Sequence, residues 1–523
     1  MSKIQDYVLA VDIGTTSVKT LMIHQTGKVK AIHSIGYPLN VPQSDRAEQD
    51  PDQIFQATLE AMKVVITKSG VQSDDILCVS FSSAMHSVIV VDENHQPLTP
   101  SIIWADQRSV DAAEELINSG KGKQIYLNTG TPIHPMSPLT KLIWMKDNQV
   151  DLFNQAYKFI GIKEYVFYQL FRQYKVDYSI ASATGMFNIH ELKWDEEALQ
   201  LAGVTQEQLS EPVPSTYRMS GMEPEHASAI GLHVDTPFVI GASDGVLANL
   251  GIGVMNSDEV AVTIGTSSAV RTVVRKPTLD PEGRLFCYAL ADDYWVIGGA
   301  SNNGGVVLKW TVDQLFSEGT APLSQHELQQ YTSYLDIAKE APPGADGLLF
   351  LPLLTGERAP FWDAKARGVF FGLSMAHGKS HMMRAAMEGM IFQIGAMVSL
   401  LENLSVTPIR IRASGGVVRS ELCCQIMADV LGIPVDVPEV IESSGLGAAK
   451  LALYAMGVTD NLLDPASSEY VSQALYTPNE VNHELYKQLL PLYQQIYVQL
   501  KDSFRQIAKF QTSNAANIKE MMN

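Results

Sequence analysis

Short β-branched apolar runs alternate with longer amphipathic stretches along the first half of this chain. Val8 to Ile13 is nearly all apolar, the pattern of a buried strand, and Val18 to Ile23 predicts a second strand returning beside it. Asp50-Pro51-Asp52 marks a helix start, with Ile54, Leu59, Met62 and Val65 on the apolar face that follows. Ile76 to Ser80 predicts a strand, Ile102-Ile103 is another short apolar run, and two prolines make 129–136 a loop. Phe238 to Ser243 predicts one more strand. Such alternation predicts an α/β domain whose ligands lie beyond the carboxyl ends of its strands.

Later the opening pattern recurs. Ile13-Gly14-Thr15-Thr16-Ser17 matches Ile264-Gly265-Thr266-Ser267-Ser268, an offset of 265 minus 14, or 251 residues, in a chain of 523. Two related domains, 1–250 and 251–523, are the natural division, and the length is too great for one core. Ile409 to Arg412 predicts a strand in the second half, while 316–341 is polar and irregular, as surface would be. Leu485, Leu489, Tyr493, Ile496, Leu500, Phe504 and Ile507 recur at helical spacing, with Pro491 expected to kink the helix. That helix either docks on the second domain or contributes a contact between two copies of the chain.

Both recurrent turns suit a phosphate. A glycine removes the Cβ that would hold an anion away from the backbone, and hydroxyls and amides follow at once. An ordinary hairpin with a polar turn satisfies the same pattern. Lys19 adds a positive charge beside the first turn, and Asp12 can hold magnesium through water. The second copy has Thr263 where the first has Asp12, which leaves it phosphate contact without metal.

Composition narrows the partners. A formal net charge of −19 argues against nucleic acid as a partner, since phosphate backbones need a basic face, though a local nest of amides still binds a nucleotide. Cys78, Cys287, Cys423 and Cys424 show no metal spacing and read as reduced thiols of a cytoplasmic protein. No signal-peptide pattern opens the sequence, and Met390 to Leu401 is too short an apolar run to cross a bilayer.

Two clusters bear chemistry. Trp104-Ala105-Asp106-Gln107-Arg108 puts a ring, a carboxylate, an amide and a guanidinium within five residues, a set suited to a polyhydroxylated ligand. Arg108 equally suits the exposed start of a helix, and His86, at a strand end, equally suits a satisfied core histidine. Asp244, after the strand Phe238–Ser243 and beside Gly245, has room for a substrate and is able to accept a hydroxyl proton; capping the next helix is its other role.

These residues reach a family. The first hairpin, Met85-His86, Trp104 to Arg108, and Met136-Ser137-Pro138-Leu139-Thr140-Lys141-Leu142-Ile143-Trp144-Met145 together resemble the FGGY carbohydrate kinases. The resemblance implies two actin-like, ribonuclease H-like α/β domains flanking a cleft, the fold shared by sugar kinases, Hsp70 and actin. It implies ATP and Mg2+ as cofactors, with Asp244 as catalytic base and Asp12 and Asp244 near the metal. It places Thr15, Thr16, Ser17, Lys19, Gly265, Thr266, Gly305 and Lys309 on the nucleotide. Gly416 and Ser420, after the second-half strand, take the adenosine positions. Met85, His86, Trp104, Asp106, Arg108, His134 and Met136 border the sugar. Within the family, SFSSAMHSVIVVDE, TGTPIHPMSPLTK and IGIKEYVF are similar to the branch that phosphorylates D-gluconate. Arg108, Lys163 and His134 are then the candidates for the substrate carboxylate. Met-His also suits xylulose, so another ketose or polyol is the competing acceptor, and an actin-like or Hsp70-like ATPase with no sugar is the competing class. Glu388, in a helix of small and apolar residues, reads as a tie to a neighbour.

Overall fold

The computed structural model describes residues 5–291, 293–315, 334–439, 442–462 and 472–522, with side chains to 511. The expected surface stretch 316–341 therefore lies largely outside the described residues. The chain forms two compact units. The first comprises 1–256, 273–297 and 442–470, and the second 257–272, 298–441 and 471–523. A single cut at 250 is thus too simple, because two stretches of the second half fold with the first unit.

The first unit is built on a six-stranded sheet. Its strands are β1 (Tyr7–Ile13), β2 (Ser17–His24), β3 (Val29–Gly36), β4 (Ile76–Ser83), β5 (Arg218–Met219) and β6 (Phe238–Ser243), in the order β5-β6-β4-β1-β2-β3. β1 runs antiparallel to β2 and parallel to β4, and β6 runs parallel to β4. Alternation along β1 divides the core in two. Leu9, Val11 and Ile13 pack with Ile54, Met62 and Val65 of the helix Pro51–Ser69, whereas Val8 and Ala10 pack with Val246, Leu247 and Leu451. Asp50 caps that first helix by accepting from the amides of Asp52 and Gln53. β4 runs three residues beyond the expected Ser80, because Ser82 and Ser83 pair in register with Asp12 and Ile13.

The helix Ser443–Ala455 belongs to this first unit and lies against Asp244–Gly251. A Cβ on Gly447 would stand 1.9 Å from the Leu247 carbonyl oxygen, so only glycine permits this approach.

In the second unit the topology repeats. A seven-stranded sheet contains β7 (Glu259–Ile264), β8 (Ser268–Val274), β9 (Phe286–Ala291), β10 (Tyr294–Ser301), β11 (Arg410–Ser414), β12 (Val435–Pro438) and β13 (Ser472–Tyr476), ordered β9-β10-β8-β7-β11-β12-β13, with β9 and the first half of β10 falling in the stretch 273–297. β7 pairs antiparallel with β8 and parallel with β11; β11 is parallel to β12, which is antiparallel to β13. This is the arrangement of β1, β2, β4, β6 and β5. The two hairpin turns nevertheless differ in length: Ile13 opposes Val18 across four residues, while Ile264 opposes Ser268 across three.

The helix Lys379–Asn403 is long and apolar enough to span a bilayer by composition, and most of it is buried inside the unit. Its Glu388 accepts from the Gly344 amide at 2.9 Å, Arg384 at 2.6 Å and the Tyr486 hydroxyl at 2.7 Å, tying it to the last helix, Glu480–Met522. That helix docks through Tyr486, Tyr493, Ile496, Tyr497 and Phe504, while Leu485 and Ile507 face solvent. The buried seam is therefore rotated from the one the apolar spacing suggested.

Candidate active site

Three parallel strands of the first unit end level with one another. Ser83 lies in register with Ile13 on one side and Ser243 on the other. Asp12 consequently sits at the mouth of β1, and Asp244 follows β6 as the first residue of the helix Asp244–Gly251. Ser82 donates to Asp12 Oδ1 at 2.6 Å. Burial, and then the negative charge of Asp244, push the Asp12 carboxyl up to about 6, while Lys19 pulls in the other direction. Lys19, opposite Asp12 on β2, is held by Glu442 at 2.6 Å, a partner 423 positions away that sequence reasoning missed. The Asp244 Oδ1 accepts from the Gly245 amide at 2.6 Å, and Ser444 donates to the Asp244 carbonyl at 3.3 Å. Among the described residues, no three or more His, Cys, Asp or Glu side chains converge to hold a metal alone.

The first turn is braced from three sides. Gly14 N–H donates to Ser17 O at 3.0 Å, and Tyr37 donates its hydroxyl proton to the Gly14 carbonyl. Gln49 donates to Thr15 O at 2.6 Å, and Trp104 Nε1–H donates to Thr15 Oγ1 at 3.0 Å. The turn is thereby locked to the Trp104 segment, which gives the indole a second task beside any ligand contact.

Asp106 and Arg108 are committed to protein partners. Asp106 is fully buried; it accepts from the Ala47 amide at 2.8 Å and from Arg108 Nε at 2.8 Å. The same guanidinium pairs with Glu48 and lies over the Trp144 ring. Lys163, also buried, is paired with Asp177 at 2.6 Å. Two of the three candidates for a substrate carboxylate are thus already neutralised.

His86 and His134 are likewise enclosed, and Met136 is buried beside His134. His86 Nδ1 is 2.7 Å from the Ala183 carbonyl, which puts the proton on that nitrogen in the neutral ring. Its backbone φ of 71° lies in the left-handed region, a strained choice for histidine. His134 Nδ1 accepts from the Met136 amide at 3.1 Å. Met85 stays half-buried and packs on the core face that holds Val246.

In the second unit the counterpart of Asp12 is Thr263, whose Oγ1 is 3.1 Å from Ser414 Oγ on the adjoining strand. Gly265 N–H donates to Ser267 O at 2.9 Å, and Thr266 lies exposed. Gly304 and Val306 donate to the Thr266 carbonyl, and Gly305 donates to the Gly265 carbonyl at 2.7 Å. The start of the helix Gly305–Leu315 therefore serves to shape the turn. Lys309 pairs with Asp313 on the helix surface. Gly415 adopts φ 97°, and a Cβ there would stand 2.3 Å from Ile264 O; Gly416 has open space on its Cβ side. Ser420 caps the helix Glu421–Leu431 by accepting from the Cys423 amide at 3.3 Å.

Sequence reasoning also passed over Glu357. It is fully buried and binds Ser301 at 2.7 Å, Asn303 at 2.9 Å, and the amides of Asn302 and Arg358 at 2.8 Å each. It fixes the segment that leads into Gly304 and Gly305.

A duplicated sheet topology, each copy carrying a glycine-hydroxyl turn, with paired carboxylates at the strand ends of one copy, defines a phosphotransferase class. The N-terminal domain model of the FGGY family of carbohydrate kinases matches residues 7–251 and the C-terminal domain model matches 260–456, so the chain belongs to that family. Such a kinase takes ATP as co-substrate. The chain is 47% identical to the gluconokinase of Bacillus subtilis over 506 residues, covering 97% of this chain and 98% of that one. Two solved structures from Lactobacillus acidophilus, one described as a gluconate kinase and one as a ligand-bound xylulose kinase, each superpose with a TM-score of 0.90 at 36% identity. Each covers 96% of this chain and 99% of its own.

Proposed function

We propose that this chain transfers the γ-phosphoryl group of ATP to the terminal hydroxyl of D-gluconate, forming 6-phospho-D-gluconate and ADP. The substrate choice rests on one observation, the 47% identity to a gluconokinase over nearly the whole of both chains. The substrate oxygen attacks the γ-phosphorus, the bond to the β-phosphate oxygen breaks, and the hydroxyl proton passes to the Asp244 carboxylate. Asp244 suits this because it stands at a strand mouth on a helix start, half-buried and one residue beyond the in-register row of Ile13, Ser83 and Ser243.

Asp12 and Asp244 would hold the magnesium that accompanies the triphosphate. Burial and then the Asp244 charge raise the Asp12 carboxyl, and the second of these is what a cation relieves. When bound, the ion neutralises phosphate charge. The first unit binds the sugar acid, and the second binds adenosine beside Gly416. Thr15, Thr16, Ser17, Lys19, Gly265 and Thr266 are the candidates for phosphate contact. Four buried free cysteines suit a reducing, cytoplasmic setting.

Xylulose is the second reading, favoured by the equal likeness to the solved xylulose kinase. A coupled ADP-release assay across gluconate, xylulose, ribulose and glycerol separates the two. Turnover with gluconate at a kcat/KM at least tenfold above the others is expected, and inactivity on gluconate overturns the assignment.

A further inference from the structure

We propose that Lys141 is a positioning residue of the sugar site, fastening its three loops to one another through one ammonium group. The proposal rests on the reading of the first unit as the sugar-binding side. Lys141 lies in the helix Pro138–Asn148 and is fully buried. Its Nζ donates to His86 O at 2.7 Å, Ile103 O at 2.9 Å and Met136 O at 2.8 Å.

An ammonium has three donors and no acceptor, so these three carbonyls use all of it. The carbonyls come from three separate parts of the chain. One follows β4 and carries Met85 and His86; one precedes Trp104 and Asp106; one lies in the loop that carries His134 and Met136. Val88 and Ile102 already bridge the first two segments through paired backbone hydrogen bonds of 3.0 and 2.9 Å, and the shared cation ties the Met136 loop to both. The first carbonyl belongs to His86, whose φ of 71° needs surroundings that over-determine it. Burial without ion pairing is costly for a lysine, and the Asp106 charge close by offsets part of that cost, while the Arg108 charge opposes it. A helix staple alone would need no cation reaching three loops that all border one site.

Lys141→Met and Lys141→Gln test this, the first removing all donors and the second keeping two. Wild-type enzyme is assayed first with gluconate and xylulose; turnover of neither overturns the sugar-site reading, and the proposal with it. With an acceptor identified, Lys141→Met is expected to raise the KM for that sugar at least 30-fold, and Lys141→Gln several-fold. The KM for ATP should move less than about threefold, since none of the three carbonyls belongs to a residue assigned to the nucleotide. Amide hydrogen exchange should show the segments 84–88, 102–106 and 134–138 losing their joint protection by the sugar. Should Lys141→Met not fold, the Gln variant decides. A folded variant with sugar KM within threefold of wild type, or with sugar and ATP constants worsened equally, overturns the proposal.

Discussion

Asp12→Asn is expected to stabilise the protein while disabling it. The Asp12 carboxyl titrates near 6 in the fold and near 3.8 in a free chain. A raised carboxyl favours the fold when protonated, so the wild type loses stability as pH climbs from 3.8 through 6. Above pH 7 the whole difference of about 2.2 units applies, worth about 3 kcal/mol at about 1.36 kcal/mol per unit. At pH 5 about half of that cost remains, and below pH 3.8 it vanishes. Asparagine keeps an acceptor for Ser82, which donates at 2.6 Å, and never ionises. At about 2 °C per kcal/mol for a protein of this size, the ligand-free variant should melt about 6 °C above wild type at pH 8 and about 3 °C above it at pH 5. Differential scanning calorimetry at the two pH values measures this. Mg-ATP should narrow the gap, because the cation relieves the repulsion that the variant lacks. A variant melting at or below wild type at pH 8, or a gap that does not shrink at pH 5, refutes the reasoning.

Asp244→Asn should lose about 10²–10⁴ in kcat while gluconate and ATP binding, followed by calorimetric titration, stay within about threefold; a near-normal kcat would place the base elsewhere. Gly415→Ala should destabilise the second unit by about 2–4 kcal/mol in denaturant melts, because φ 97° and a Cβ 2.3 Å from Ile264 O cannot both be accommodated. Gly416→Ala, with open space around it, should melt like wild type and weaken ATP binding; equal effects of the two would contradict the assignment of Gly416 to the nucleotide. Glu442→Gln removes a negative charge that raises Asp12, so the acidic limb of the kcat/KM profile should move to lower pH, and an unmoved limb would separate Glu442 from the site.

Legibility followed the range of the interactions involved. The hairpins at Gly14 and Gly265, the Asp50 cap and the strand before Asp244 depend on neighbours within a few positions, and local patterning reveals such features. The near-identical wording of the two turns, Thr16 against Ser267 being the one difference, nonetheless concealed a one-residue difference in length, because register is set by strand pairing. Arg108 looked available for a ligand because its pairing with Glu48 spans 60 positions. Lys141 stood inside a recognised motif and still carried no message, since its three acceptors are backbone carbonyls that no side-chain pattern announces.

Sequence alone determined that two similar strand-turn-strand units exist and that the first carries the carboxylates. Those conclusions follow from residue type and short spacing. Tertiary structure alone decided that the helix Ser443–Ala455 folds with the first unit, bringing Glu442 to Lys19, and that one buried ammonium joins three distant loops. Charge pairing and hydrogen bonding act across a few ångströms of space, whatever length of chain lies between the partners.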